Sequence, residues 1–90
     1  MLTYAQAETL AALYAGGYID NEIPFLPTEV FPNRDNADNG KRRCLSALHR
    51  KGLLATWPAS GPGYLRADRA RCDLEWALWR DQRIDAEFWF

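Results

Sequence analysis

The stretch from Gly52 to Ala67 constrains this chain more than any other. Gly52 is followed by Leu53-Leu54-Ala55-Thr56-Trp57, then Pro58-Ala59-Ser60-Gly61-Pro62-Gly63, then Tyr64-Leu65-Arg66-Ala67. Two short apolar runs joined by Gly, Pro and Ser predict a β-hairpin, and six linking residues give it a longer tip than a two-residue turn, exposed to solvent. With 90 residues there is room for one domain and a single modest core, so residues 1–90 are read as one unit.

Helical signals lie on both sides of the hairpin. Upstream, a third helix starts with Asn36 or Asp38 as cap and runs to Lys51, and Gly52 stands where a left-handed residue ends helices. Leu45 and Leu48, helped by Cys44, mark its buried side. At about 100° per residue, the opposite side carries Asn39, Arg43, Ser46 and Arg50, with Arg42 and His49 on its flank. Downstream, Asp68 caps a last helix expected to run to about Gln82, with Leu74, Ala77 and Leu78 toward the core and Trp76 or Trp79 at the edge.

The first half opens with Thr3 and Gln6, the spacing of a capping box in which the two side chains satisfy exposed backbone amides, so a first helix begins near Tyr4. Leu10, Leu13 and Tyr14 share one face of it, and Gly16-Gly17 stops it, with Tyr18 and Ile19 packing after the turn. Pro24, Pro27 and Pro32 then restrict helix to a turn or two. Pro27 suits a first helical turn, because its missing amide costs nothing there, and a short second helix from Pro27 to Phe31 would bury Val30 and Phe31. Turn formers dominate Asn33-Arg34-Asp35-Asn36-Ala37-Asp38-Asn39-Gly40, which reads as a loop.

Charge is unevenly spread. The formal net charge is −1, yet nine of the eleven basic residues fall between Arg34 and Arg71, whereas residues 1–33 contain none. Local potential steers binding while net charge governs solubility, so this distribution predicts a basic face presented to a polyanion; the simpler alternative is a solvated helix with surplus arginine. The C-terminal stretch Ile84-Asp85-Ala86-Glu87-Phe88-Trp89-Phe90 ends in three consecutive aromatics. With Trp76 and Trp79, these either complete the core or form an aromatic patch for a partner or self-association.

Other classes find little support. At 48% hydrophobic and 26% charged, the composition is that of a folded chain. No apolar run approaches the roughly 20 residues needed to span a bilayer and no signal-peptide pattern opens the sequence, so the expected compartment is the cytoplasm, without membrane association. Cys44 and Cys72 have no second Cys or His at metal-ligand spacing, so both read as reduced thiols and neither metal nor cofactor is expected. His49 sits five residues from Cys44, poorly aligned for a Cys-His nucleophile, and no Gly-rich phosphate cradle follows a strand. An enzyme is not expected.

The order helix, short helix, loop, basic helix, hairpin, helix resembles a winged helix-turn-helix domain. Leu45-Ser46-Ala47-Leu48-His49-Arg50-Lys51-Gly52-Leu53-Leu54 resembles a recognition helix turning into a first wing strand, and Gly63-Tyr64-Leu65-Arg66-Ala67 resembles the returning strand. Thr3 to Ala67 can be laid onto the architecture, leaving residues 68–90 as an extra C-terminal helix and aromatic tail. Between Asp20 and Asp38 the chain departs from the usual pattern, with a short second helix and a long turn. The fold class implied is mainly α with a small β-hairpin.

Such domains place the third helix in the major groove and the wing near a neighbouring groove or phosphates. The resemblance implies that Arg42, Arg43, Ser46 and His49 face bases or phosphates, that Lys41, Arg50 and Lys51 contact backbone, and that Arg66 flanks the wing. About six phosphate contacts would weaken binding roughly a thousandfold between about 50 and 200 mM salt. The function implied is a DNA-binding module, sequence-specific or not, acting as a small transcriptional regulator or phage-type control protein on double-stranded DNA, expected as a dimer. The alternative is a winged-helix-like adaptor, or a phage-encoded inhibitor of a host nucleoprotein complex of the anti-CRISPR type. It would bind its partner through Trp76, Trp79, Phe88, Trp89 and Phe90.

Overall fold

The computed structural model describes the backbone of residues 1–32 and 36–88, and the side chains of residues 1–32 and 40–82. Helix α1 spans Tyr4–Ala15. Thr3 caps it: its Oγ1 accepts from the Gln6 amide at 3.1 Å while Gln6 Oε1 accepts from the Thr3 amide at 3.1 Å, the reciprocal box that the Thr-x-x-Gln spacing encodes. Leu10 and Leu13 are wholly buried, and Ala7 nearly so. After the helix, Ile19 enters the core and Tyr18 packs edge-on against Phe25, with ring centroids 5.3 Å apart.

Helix α2 is the single turn Pro27–Val30; Phe31 behind it is buried and Val30 is half-buried. Helix α3 covers Asn36–Arg50, so Asn36 to Gly40, turn formers by composition, belong to the helix rather than to a loop. Leu45 and Leu48 fill its inner face, with Cys44 half-buried beside them. Gly52 ends the run with φ +82°, a conformation that a Cβ opposes. Arg71 also closes over it: an added Cβ would lie 2.9 Å from one of its guanidinium nitrogens.

Strands β1 (Leu54–Thr56) and β2 (Leu65–Ala67) pair antiparallel, Leu54 opposite Ala67 and Thr56 opposite Leu65. A one-turn 3-10 helix, Pro58–Ser60, shapes the tip. Phe25 adds a single-residue bridge to the other side of β2, its amide and carbonyl each exchanging a 2.8 Å hydrogen bond with Leu65. The hairpin is thereby stitched to the segment between α1 and α2, and its inner residues Leu53, Leu54 and Ala67 join Leu10, Leu13, Ile19, Phe25, Leu45 and Leu48 in one core. The result is a mainly helical fold with a small two-stranded hairpin and a C-terminal helix.

Helix α4 runs Arg69–Phe88, past the expected end at Gln82. Asp68 caps its start, accepting from the Arg71 amide at 3.2 Å. The face it turns inward is not the expected one. Leu74 and Leu78 are 59% and 48% exposed, whereas Cys72 is fully buried and Trp76 and Trp79 lean on the core, leaving Ala77 half-buried. The reason lies in α1: Tyr14 meets Trp76 at 5.6 Å and Tyr4 meets Trp79 at 6.3 Å, so the two indoles, mutually stacked at 5.6 Å, bury more ring surface than two leucines would.

Candidate functional site

Helix α3 presents Arg43, Ser46, His49 and Arg50 to solvent, with Lys41 and Arg42 half-buried at the margins. The spacing of Arg43, Ser46 and Arg50 puts them on one stripe, because positions three, four and seven apart share a helix face. The buried positions Leu45 and Leu48 fix which way that stripe points. Beside it, Arg42, Ser46, His49 and Arg50 join Pro27, Leu45 and Leu65 around an open concavity of about 540 Å³ between α2, α3 and β2. Pro27, Leu45 and Leu65 give it an apolar floor, and sequence patterning indicated no role for Pro27 or Leu65 there.

His49 faces the hairpin, its Nε2 lying 3.2 Å from Thr56 Oγ1, so this ring is held at the junction of α3 and β1. Neither Arg43 nor Arg50 has an ion pair among the described residues, whereas Arg66 pairs with Glu22 and Arg69 with Asp73.

The other cations of the basic segment are differently employed. Arg66 bridges to Glu22 at 3.1 Å, donates from Nε to the Glu22 carbonyl at 2.9 Å, and lies 4.4 Å over the Trp57 ring. The first two contacts hold a residue with a left-handed backbone, since Glu22 has φ +48°. Lys51 donates to the Met1 carbonyl at 2.8 Å, and Lys41 lies 6.0 Å over Phe31. Arg69 pairs with Asp73 at 3.7 Å and reaches the Asp20 carbonyl. The hairpin tip from Pro58 to Gly63 carries no basic residue. The structure therefore brings Arg42, Arg43, Ser46, His49 and Arg50 together, and ties Arg66 and Lys51 into internal contacts.

A second feature is aromatic. Tyr4, Trp76 and Trp79 line a groove of about 320 Å³ between α1 and α4, with Ala7, Ala11, Glu8 and Arg80 around them. Tyr4 and Tyr14 belong to this cluster through ring contacts that no local sequence pattern announces. The expected patch residues Trp89 and Phe90, and the side chain of Phe88, lie outside the described residues. Tyr14 donates its hydroxyl to an Asp73 carboxylate oxygen, and burial together with that acceptor pushes its ionisation well above the usual tyrosine range. Burial likewise raises the Cys72 thiol from 9.0 to about 12, and its Sγ donates to the Leu53 carbonyl at 3.4 Å. Cys44 and Cys72 are both free of disulfide bonds. Among the described residues, no group of three or more His, Cys, Asp or Glu side chains is placed to hold a metal, and no helix is long and apolar enough to cross a membrane.

Comparison of the chain with protein-family models, with curated proteins and with solved structures finds no match.

Proposed function

We propose that this chain is a DNA-binding module of the winged helix-turn-helix type, acting as a small transcriptional regulator, with α3 as the helix that enters the major groove. The observation that carries this reading is the outward stripe of Arg43, Ser46 and Arg50, flanked by Arg42 and His49 and set beside the hairpin. An arginine matches the O6 and N7 acceptors of guanine with two donors, and Ser and His donate or accept at base edges or phosphates. The order α1, Phe25 bridge, α2, α3, β1, β2 supports the reading further, because it places a short strand between the first two helices against the returning wing strand. The uncharged hairpin tip restricts the wing to steric or polar contact with the backbone.

Commitment of Arg66 and Lys51 to internal partners lowers the expected number of phosphate contacts to about two, from the exposed Arg43 and Arg50. Affinity then falls roughly 12-fold between about 50 and 200 mM salt, since the logarithmic slope is about 0.9 per neutralised phosphate. Fluorescence anisotropy of a labelled random duplex at both salt concentrations tests this, with the Arg43→Glu/Arg50→Glu variant as control. Saturable, salt-sensitive binding that the variant loses supports the reading; no binding at about 50 mM sinks it.

The groove lined by Tyr4, Trp76 and Trp79 favours a second reading, a protein-interaction module of the adaptor or inhibitor kind, since an exposed tyrosine and two half-buried indoles beside apolar space suit a partner's side chain. Trp79→Ala tests it: partner capture that disappears with this variant while duplex binding persists would make it the leading one.

A further inference from the structure

Outward from the core, α4 carries Arg71, Leu74, Leu78 and Asp81, all exposed. Their spacing of three, four and three is that of a helix seam, which keeps one stripe facing a partner helix. Leu74 and Leu78 are two of only five large hydrophobic residues exposed among those described, and they are neighbours on this stripe. The ends are oppositely charged: Arg71, its guanidinium over Gly52 at the edge of the stripe, lies toward the N-terminus and Asp81 toward the C-terminus.

We propose that two copies of the chain pair through this face of α4, with the helices antiparallel. A two-fold axis at the level of Trp76 puts Leu74 of one copy against Leu78 of the other, and the same operation puts Arg71 against Asp81, twice. The surface is self-complementary, which is what a two-fold interface requires. A parallel arrangement is disfavoured, because it sets Arg71 beside Arg71 and Asp81 beside Asp81. The occupant is therefore chosen by charge as well as by apolar surface. The seam spans about 15 Å, ten residues at about 1.5 Å each, and its area falls below the roughly 1,200–2,000 Å² of stable interfaces, so the pair forms and separates with concentration.

This pairing does not depend on the DNA-binding reading, and its failure would leave that reading intact. Sedimentation velocity over about 10–500 μM covers the range in which so small an interface populates. The expected result is a mass rising toward twice the 10.3 kDa of one chain. The Leu74→Glu/Leu78→Glu variant stays monomeric with an unchanged circular dichroism spectrum, because both sites are exposed. Asp81→Arg weakens association about fivefold through two symmetry-related like-charge contacts, and Arg71→Asp added to it restores association. A wild-type protein that remains monomeric throughout overturns the proposal. So does self-association indifferent to the leucine changes, and a charge swap that fails to restore pairing overturns the antiparallel register.

Discussion

Helix α3 and the hairpin share one basic stretch of sequence but use their cations in opposite ways. On α3, Arg43 and Arg50 stand exposed without an ion pair among the described residues. On the hairpin, Arg66 spends its guanidinium on Glu22, on the Glu22 carbonyl and on the Trp57 ring. Clustering along a chain is therefore not clustering of available charge: an acid supplied from the segment after α1 neutralises part of the basic run. On α3 the exposed charge that remains, Arg43 and Arg50, lies on one helix face, and the proposed polyanion contact rests on it.

The contrast yields four predictions. The largest effect is expected from Arg43→Glu/Arg50→Glu, with at least about a hundredfold loss of duplex affinity at low salt and an unchanged melting temperature. Anisotropy and calorimetry check the two halves of that statement, and a large drop in melting temperature would mean these arginines are structural after all. Gly52→Ala comes next, because it strikes the joint between α3 and the hairpin. Its φ of +82° opposes alanine, while the exposed Arg71 guanidinium, 2.9 Å from the new Cβ, only has to swing aside. A cost of about 2 kcal/mol, or roughly 8–16 °C in melting temperature, is expected in thermal unfolding.

Arg66→Ala should give the mirror image of the first variant. Its pair with Glu22 is more than a third exposed on the acid side, so solvent screening limits that contribution. Loss of pair, carbonyl bond and ring contact together costs about 1–2 kcal/mol by urea unfolding, while duplex affinity changes less than about threefold. An affinity loss as large as that of the α3 variant would erase the distinction between the two regions. The last prediction concerns Cys72, an α4 residue whose thiol donates to the Leu53 carbonyl at the base of the hairpin. A thiol whose folded ionisation is raised from 9.0 to about 12 contributes stability that is fully present below the lower value and is lost as pH rises through the upper one. Comparing Cys72→Ala with the parent, the alkaline decline in stability should be shallower in the variant across that window.

Much of this architecture can be read locally. Thr3 and Gln6 announce the start of α1, Gly52 the end of α3, and the apolar runs on either side of Pro58 to Gly63 the hairpin, because each signal acts over a few residues. What distance decides is less legible. Cys72, Trp76 and Trp79 form one helical stripe of α4, and Leu74 with Leu78 another; both satisfy helical spacing, and only the positions of Tyr4 and Tyr14 on α1 select the first. Asn36 to Gly40 have turn propensity but are carried into helix by the packing of Leu45 and Leu48 further along α3. For the candidate site, the exposed stripe followed from periodicity alone. The withdrawal of Arg66, expected to flank the wing, into an internal contact depended on Glu22, far away in sequence. Phe25, a single residue of strand between Pro24 and Leu26, offers no pattern to detect.

The stitch between Phe25 and Leu65 also sets a schedule for biosynthesis. Leu65 leaves the ribosome about forty residues after Phe25, a delay of roughly 2–8 s at about 5–20 residues per second. Throughout that interval Leu10, Leu13, Ile19 and Phe25 have no hairpin to close over them. A nascent chain paused within the Pro58 to Gly63 tip would therefore be more exposed to proteases and to chaperone binding than one released after Ala67.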